Sequence, residues 1–231
     1  MRIRHCHQTM LNVLTKEEAK VYWCEKQELA RQRMLECNDN PAVLIECASK
    51  VLMDGLQPDF EFCARLDRSV ELYQELKLYN DCVHIYVPGS LHNTEGITDQ
   101  CTLSLAGKRY LVNHGIPASD ILGDNENERY KGSEGVLNSA DECFVASEIF
   151  KNGRYKELHC VCSPIQVTRK WFYYLEFGLV PLIHSVPIRN SDVMDIVTEQ
   201  LRGVENVIYN DHSAQSHDSE VYINSRKERM G

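Results

Sequence analysis

The sequence predicts an α/β fold: a mainly parallel sheet covered on both faces by helices, with one extra helix ahead of it. Two observations carry this expectation. Short apolar runs of strand length alternate four or five times with segments of helical spacing, the pattern of parallel strands joined by helical crossovers. The chain has 231 residues, 43% of them hydrophobic, so it can bury one sizeable core.

The elements follow in order. Thr15-Lys16-Glu17-Glu18 has the form of a capping box and opens a helix running to about Glu36. The turn cluster Asn38-Asp39-Asn40-Pro41 stops it. Ala42–Glu46 reads as a short apolar strand, and Leu66, Val70, Tyr73 and Leu76 give helical spacing to 64–78. Cys82–Val87 is a second strand, ended by Pro88-Gly89-Ser90. Leu103, Ala106, Gly107, Tyr110, Leu111 and His114 form an amphipathic helical stripe, stopped by Gly115. A brief third strand is expected at Ala118–Leu122, and Ala140, Cys143, Phe144 and Ser147 mark the next helix. Leu158–Cys162 is a strand; Trp171, Tyr174, Leu175 and Gly178 mark a helix face. Val180–Val186 is another strand, and a helix over 192–201 closes the unit. Residues 1–40 are thus a leader and helix, 41–210 the α/β domain, and 211–231 a polar tail.

Composition excludes several function classes. A net charge of −9 leaves no basic footprint for nucleic acid or an anionic membrane surface. No apolar run approaches the ~18 residues of a membrane-spanning helix, and the start MRIRHCHQTM lacks the apolar stretch of a signal peptide. The ten cysteines lie largely in apolar stretches, where a free thiol acts as a small hydrophobe. Reduced thiols in the cytoplasm are the expected state. His159-Cys160-Val161-Cys162 is not read as a zinc site, because strand alternation sends the two cysteines to the face opposite His159.

Right-handed crossovers place every strand's carboxyl end on one edge of the sheet, where open α/β proteins bind ligands. The loops there are Cys47-Ala48-Ser49, Pro88-Gly89-Ser90, residues 123–138 and Ser163-Pro164. Ser163-x-x-Gln166, with Pro164 between, is a complete capping box. Arg169 has no such explanation: a cation in the second turn slightly opposes the helix dipole. Beside a helix N-terminus it suits a phosphate or carboxylate. Arg65 stands at the start of its predicted helix, again against the dipole, where it can face the edge or pair with Asp67 or Glu61. Ser139-x-x-Glu142 is another capping box. The run Asp124-Asn125-Glu126-Asn127-Glu128 offers oxygen ligands for a divalent cation but equally reads as a solvated acidic loop. Cys47 has the position of a nucleophile without an elbow motif or an assignable base.

Six segments together resemble a bacterial family of unknown biochemical role, the YdcF/SanA/ElyC-like family. They are VLIECAS (43–49), ARLDRSVELYQEL (64–76), IYVPGS (85–90), GKRYLVNHGIPASDIL (107–122), SADE (139–142) and CSPIQVTRK (162–170). The resemblance implies a Rossmann-like three-layer fold with its site at the sheet edge derived above. Arg65, Gly89, Ser133, Ser163 and Arg169 match the family's polar positions. Cys47-Ala48-Ser49 stands where the family has several glycines, and Pro88-Gly89-Ser90 where it has Ser-Gly-Gly. Asn138 and Ser139 fall near its Asn-Thr-x-Glu-Asn, and Gln166 replaces a favoured His, so a proton shuttle there is not expected.

The resemblance implies a soluble, YdcF-like member. One such member binds S-adenosylmethionine, which makes that molecule the candidate ligand. The expected function is binding of an anionic or nucleotide-like small molecule. Cys47, Ser49, Arg65, Gly89, Ser90, Ser133, Asn138, Ser163, Gln166 and Arg169 are the expected ligand-binding residues. Two other functions fit the same residues. One is a transferase or hydrolase acting on a phosphorylated or nucleotide-linked substrate, with a cation at Asp124, Glu126 and Glu128. The other is a non-catalytic interaction protein with a degenerate pocket, in which the N-terminal helix Lys16–Glu36 mediates partner association or homo-oligomer formation.

Overall fold

The computed structural model describes residues 16–36, 42–49, 52–91, 93–94, 97–98, 101–123, 139–187 and the single positions 136 and 197. The chain order is α1 (Lys16–Glu36), β1 (Val43–Cys47), β2 (Leu52–Met53), β3 (Gln57–Pro58), α2 (Phe60–Lys77) and β4 (Val83–Val87). Then come β5 (Asn93–Thr94), β6 (Ile97–Thr98), α3 (Leu103–Asn113), β7 (Ile121–Gly123) and α4 (Ser139–Asn152). Finally come β8 (Glu157–Cys162), α5 (Val167–Glu176) and β9 (Leu182–Ser185). Of the expected closing helix over 192–201 only Val197 is described, and it is helical; the leader and the tail lie outside the described residues.

Five strands form one parallel sheet in the order β7-β4-β1-β8-β9. The chain builds outward from β1 through β4 to β7, then crosses to the other side of β1 for β8 and β9. The reversal falls between β1 and β8, the position at whose carboxyl edge open α/β sheets place a ligand crevice. Period-two alternation divides the sheet's side chains between two cores. Val43, Ile45, Cys47, Val83, Ile85, Val87 and Val161 meet α2 and α3 on one face. Leu44, Tyr86, Leu158, Cys160 and Cys162 meet α4 and α5 on the other. The fold is the three-layer Rossmann-like arrangement expected, with the N-terminal helix added to the second face. There Trp23 of α1 is buried edge-on to Phe172 of α5, at 4.7 Å between ring centroids.

Local chemistry sets the boundaries. α2 begins at Phe60, four residues ahead of the expected start at 64, because Asp59 caps it by accepting the Phe62 N–H at 2.8 Å. Thr102 caps α3 in the same way through the Leu105 N–H. The expected strand at Ala118–Leu122 is corrected: 118–120 form a 3-10 turn, closed by the Asp120 N–H on the Pro117 carbonyl, and β7 starts only at Ile121. The Asp120 carboxylate is also held by the Tyr73 hydroxyl at 2.6 Å and the Lys77 ammonium at 3.1 Å. Two short antiparallel pairs, β2–β3 and β5–β6, were not anticipated.

β8 and β9 are joined by a pair of imidazoles as well as by backbone. His159 Nδ1 and His184 Nε2 are 2.9 Å apart, with the rings stacked. Two nitrogens that close share one proton, and a second would set cation against cation. Burial lowers both pKa values below the ordinary 6.5. Glu157 partly offsets this for His159; for His184, His159 and Arg68 add to it and Glu75 opposes. The unfolded chain therefore takes up protons first, so this stability is complete above about pH 6.5 and is lost as pH falls below it. The melting temperature is expected to fall from about pH 7 to about pH 5, and by less in His184→Gln. Identical pH dependence in the two proteins contradicts the pairing.

Candidate functional site

At the reversal point, the carboxyl ends of β1 and β8 are tied together by one side chain. Arg65 reaches across from α2 and is 1% exposed. Its Nη1 donates to the Ala48 carbonyl at 3.2 Å and the Ser49 carbonyl at 2.7 Å, both just past β1. Its Nη2 donates to the Ser163 hydroxyl, just past β8, and to Glu61 Oε1 at 3.3 Å. The Ser163 hydroxyl in turn donates to Glu61 at 2.9 Å. A planar fork with fixed donors is the side chain that can clamp two strand ends at once. Of the alternatives the sequence offered for Arg65, the pairing with Glu61 forms, and its terminal nitrogens are engaged within the fold.

Beneath this clamp, on the face covered by α4 and α5, lies a buried ionic cluster. Lys170 of α5 faces Glu46 Oε1 of β1 at 2.5 Å and Glu142 Oε2 of α4 at 2.6 Å. Glu46 Oε2 accepts the Cys160 thiol at 2.8 Å, and Glu142 Oε1 accepts the Ser49 hydroxyl at 3.1 Å. Burial pushes the Glu46 carboxyl above its ordinary value; Lys170 pulls it back and Glu142 adds to the rise. For Lys170, burial works to lower the pKa, but Glu142 and then Glu46 overcome it and hold the ammonium well above its ordinary value. One cation between two carboxylates keeps its proton, and Glu46 is the group disposed to take up another.

The remaining expected residues divide clearly. Ser49 stands at the end of β1 between Glu142 and Gly89. A Cβ on Gly89 would lie 2.6 Å from Leu103 Cβ and 2.8 Å from Ser49 Oγ, and its φ of +118° also requires glycine. The Ser90 N–H is taken by the Val136 carbonyl at 3.0 Å. The Ser163–Gln166 capping box forms, with Gln166 Oε1 accepting the Ser163 N–H at 3.3 Å. Cys47 is fully buried, and burial pushes its thiol up to about 12, which removes it as a nucleophile near neutral pH. Ser133, Asn138 and the acidic residues Asp124, Glu126 and Glu128 lie outside the described residues.

Arg169 is half-buried on α5, and its enclosed Nε has no hydrogen-bond partner among the described residues. Arg65 Nε is likewise unpartnered among the described residues, but both terminal nitrogens of Arg65 are bound within the fold and Lys170 is paired with two carboxylates. Glu46, Glu142 and Lys170 were not read as site residues from sequence. The signal was a carboxylate inside the apolar run AVLIECA and a lysine one turn before Tyr174 on a buried helix face. The capping-box reading of Glu142 is also corrected, since its carboxylate turns inward to Lys170 and Ser49.

Comparison of the chain with protein-family models, with curated proteins and with solved structures gives no match in any of the three. The clamp makes its own prediction. Arg65→Lys keeps the charge but loses the fork, so chemical unfolding is expected to show a loss of about 2–4 kcal/mol. A change below about 0.5 kcal/mol contradicts the clamp.

Proposed function

We propose that this chain is a YdcF-like protein of the cytoplasm that binds an anionic or nucleotide-like small molecule in the crevice between β1 and β8. One observation carries the reading. Arg169 is a half-buried cation whose enclosed Nε is unpartnered among the described residues, beside the capped start of α5. Arg65 Nε is unpartnered too, but the terminal nitrogens of Arg65 are taken within the fold, and Lys170 is paired. An enclosed donor without an acceptor is costly unless something supplies one. A phosphate or carboxylate does so and also suits the amino end of the helix. The resemblance makes S-adenosylmethionine, through its carboxylate, the first molecule to offer.

A thermal-shift panel of S-adenosylmethionine, nucleotides, nucleotide sugars and sugar phosphates, with and without magnesium, tests the proposal. At about 100 times its Kd a ligand adds about 2.7 kcal/mol of stability. The expected result is a shift with an anionic member that disappears in Arg169→Ala. Silence across the panel, or a shift that survives the substitution, overturns it.

A further inference from the structure

The buried cluster fixes the polarity of the crevice on its β1 side. Lys170 sits within 2.6 Å of Glu142 Oε2, and Glu142 Oε1 receives the Ser49 hydroxyl at 3.1 Å. A carboxylate facing an ammonium has only acceptor lone pairs, so the proton of this hydrogen bond belongs to Ser49. With its single hydrogen directed at Glu142, the Ser49 oxygen has only lone pairs left for any other partner. The backbone carbonyl of Ser49 is already taken by Arg65. Behind Ser49 stand two carboxylates and one ammonium, so a bare anion placed over it meets an acceptor with negative charge beyond.

We propose that the Lys170–Glu142–Ser49 chain makes the β1 side of the crevice a hydrogen-bond acceptor. The ligand then carries a hydroxyl donor at one end and an anionic group, held by Arg169, at the other. This rests on the binding function proposed above and narrows it to hydroxylated anions, the chemistry of a sugar phosphate or the ribose end of a nucleotide. Ser49 is a specificity residue in this arrangement, and Lys170 and Glu142 are positioning residues that act through it. An all-anionic ligand is disfavoured at Ser49, so the selection is repulsive as well as attractive.

The test compares ribose 5-phosphate with cyclopentylmethyl phosphate, which has the same charged group and a similar ring without hydroxyls. Titration calorimetry of the full chain is expected to show ribose 5-phosphate binding about tenfold more tightly, the scale of a well-formed hydrogen bond. Ser49→Ala is expected to bring the two Kd values together, and Arg169→Ala to weaken both ligands. Far-ultraviolet circular dichroism and melting of each variant establish that it is folded. Equal affinities in the unsubstituted protein, with both lost in Arg169→Ala, overturn this inference and leave the anion site standing. A preference that persists in folded Ser49→Ala also overturns it. Absence of binding by either phosphate overturns the inference along with the anion reading on which it rests.

Discussion

The structure depends on one buried ammonium. Lys170 is fully enclosed, and it is tolerated there only because Glu46 and Glu142 face it within 2.6 Å. An isolated charge in that position would cost several kcal/mol. The contact joins three elements distant in sequence: the central strand β1 and the two helices α4 and α5. Glu46 is the next-to-last residue of β1, so the cluster sits immediately under the carboxyl edge rather than deep in the core.

From this cluster the edge is built outward in two directions. Through Glu142, the hydroxyl of Ser49 is oriented. On the opposite face, Arg65 fastens the backbone beyond β1 to Ser163 beyond β8, and Glu61 holds both Arg65 and Ser163. The two devices approach the same strand ends from opposite layers of the sheet. Backbone around Ala48, Ser49 and Ser163 is thereby held in place by side chains of the fold itself. Gly89 completes the floor, since any side chain there would strike Leu103 or Ser49.

The fold was legible because strand-length apolar runs and helical stripes alternate without interruption. β1, β4 and β8 are almost wholly buried, so their sequences read as continuous apolar runs. The β2–β3 hairpin carried an Asp54-Gly55 turn signal, but its two-residue strands are too short for any periodicity to show. Arg65 was misread for a definite reason. With the helix placed from 64 it stood in the first turn, where facing the edge and pairing with Glu61 were equally open; with Asp59 as the cap it lies one turn deeper, buried with Leu66, Ser69 and Leu72. Arg169 was singled out because helix-dipole reasoning left it unexplained, and the structure leaves its Nε equally unexplained. Glu46 and Lys170 escaped because pairing between residues 124 positions apart leaves no local spacing to detect.

Equilibrium urea unfolding of three proteins tests the role of the buried ammonium most directly. They are the unsubstituted chain, Lys170→Met, and Lys170→Met combined with Glu46→Leu and Glu142→Met. Removing the lysine alone strands two buried carboxylates and is predicted to cost about 3–5 kcal/mol, whereas removing all three charges recovers most of that loss. If Lys170→Met lies within about 1 kcal/mol of the unsubstituted chain, the cluster does not hold this edge together and the account fails.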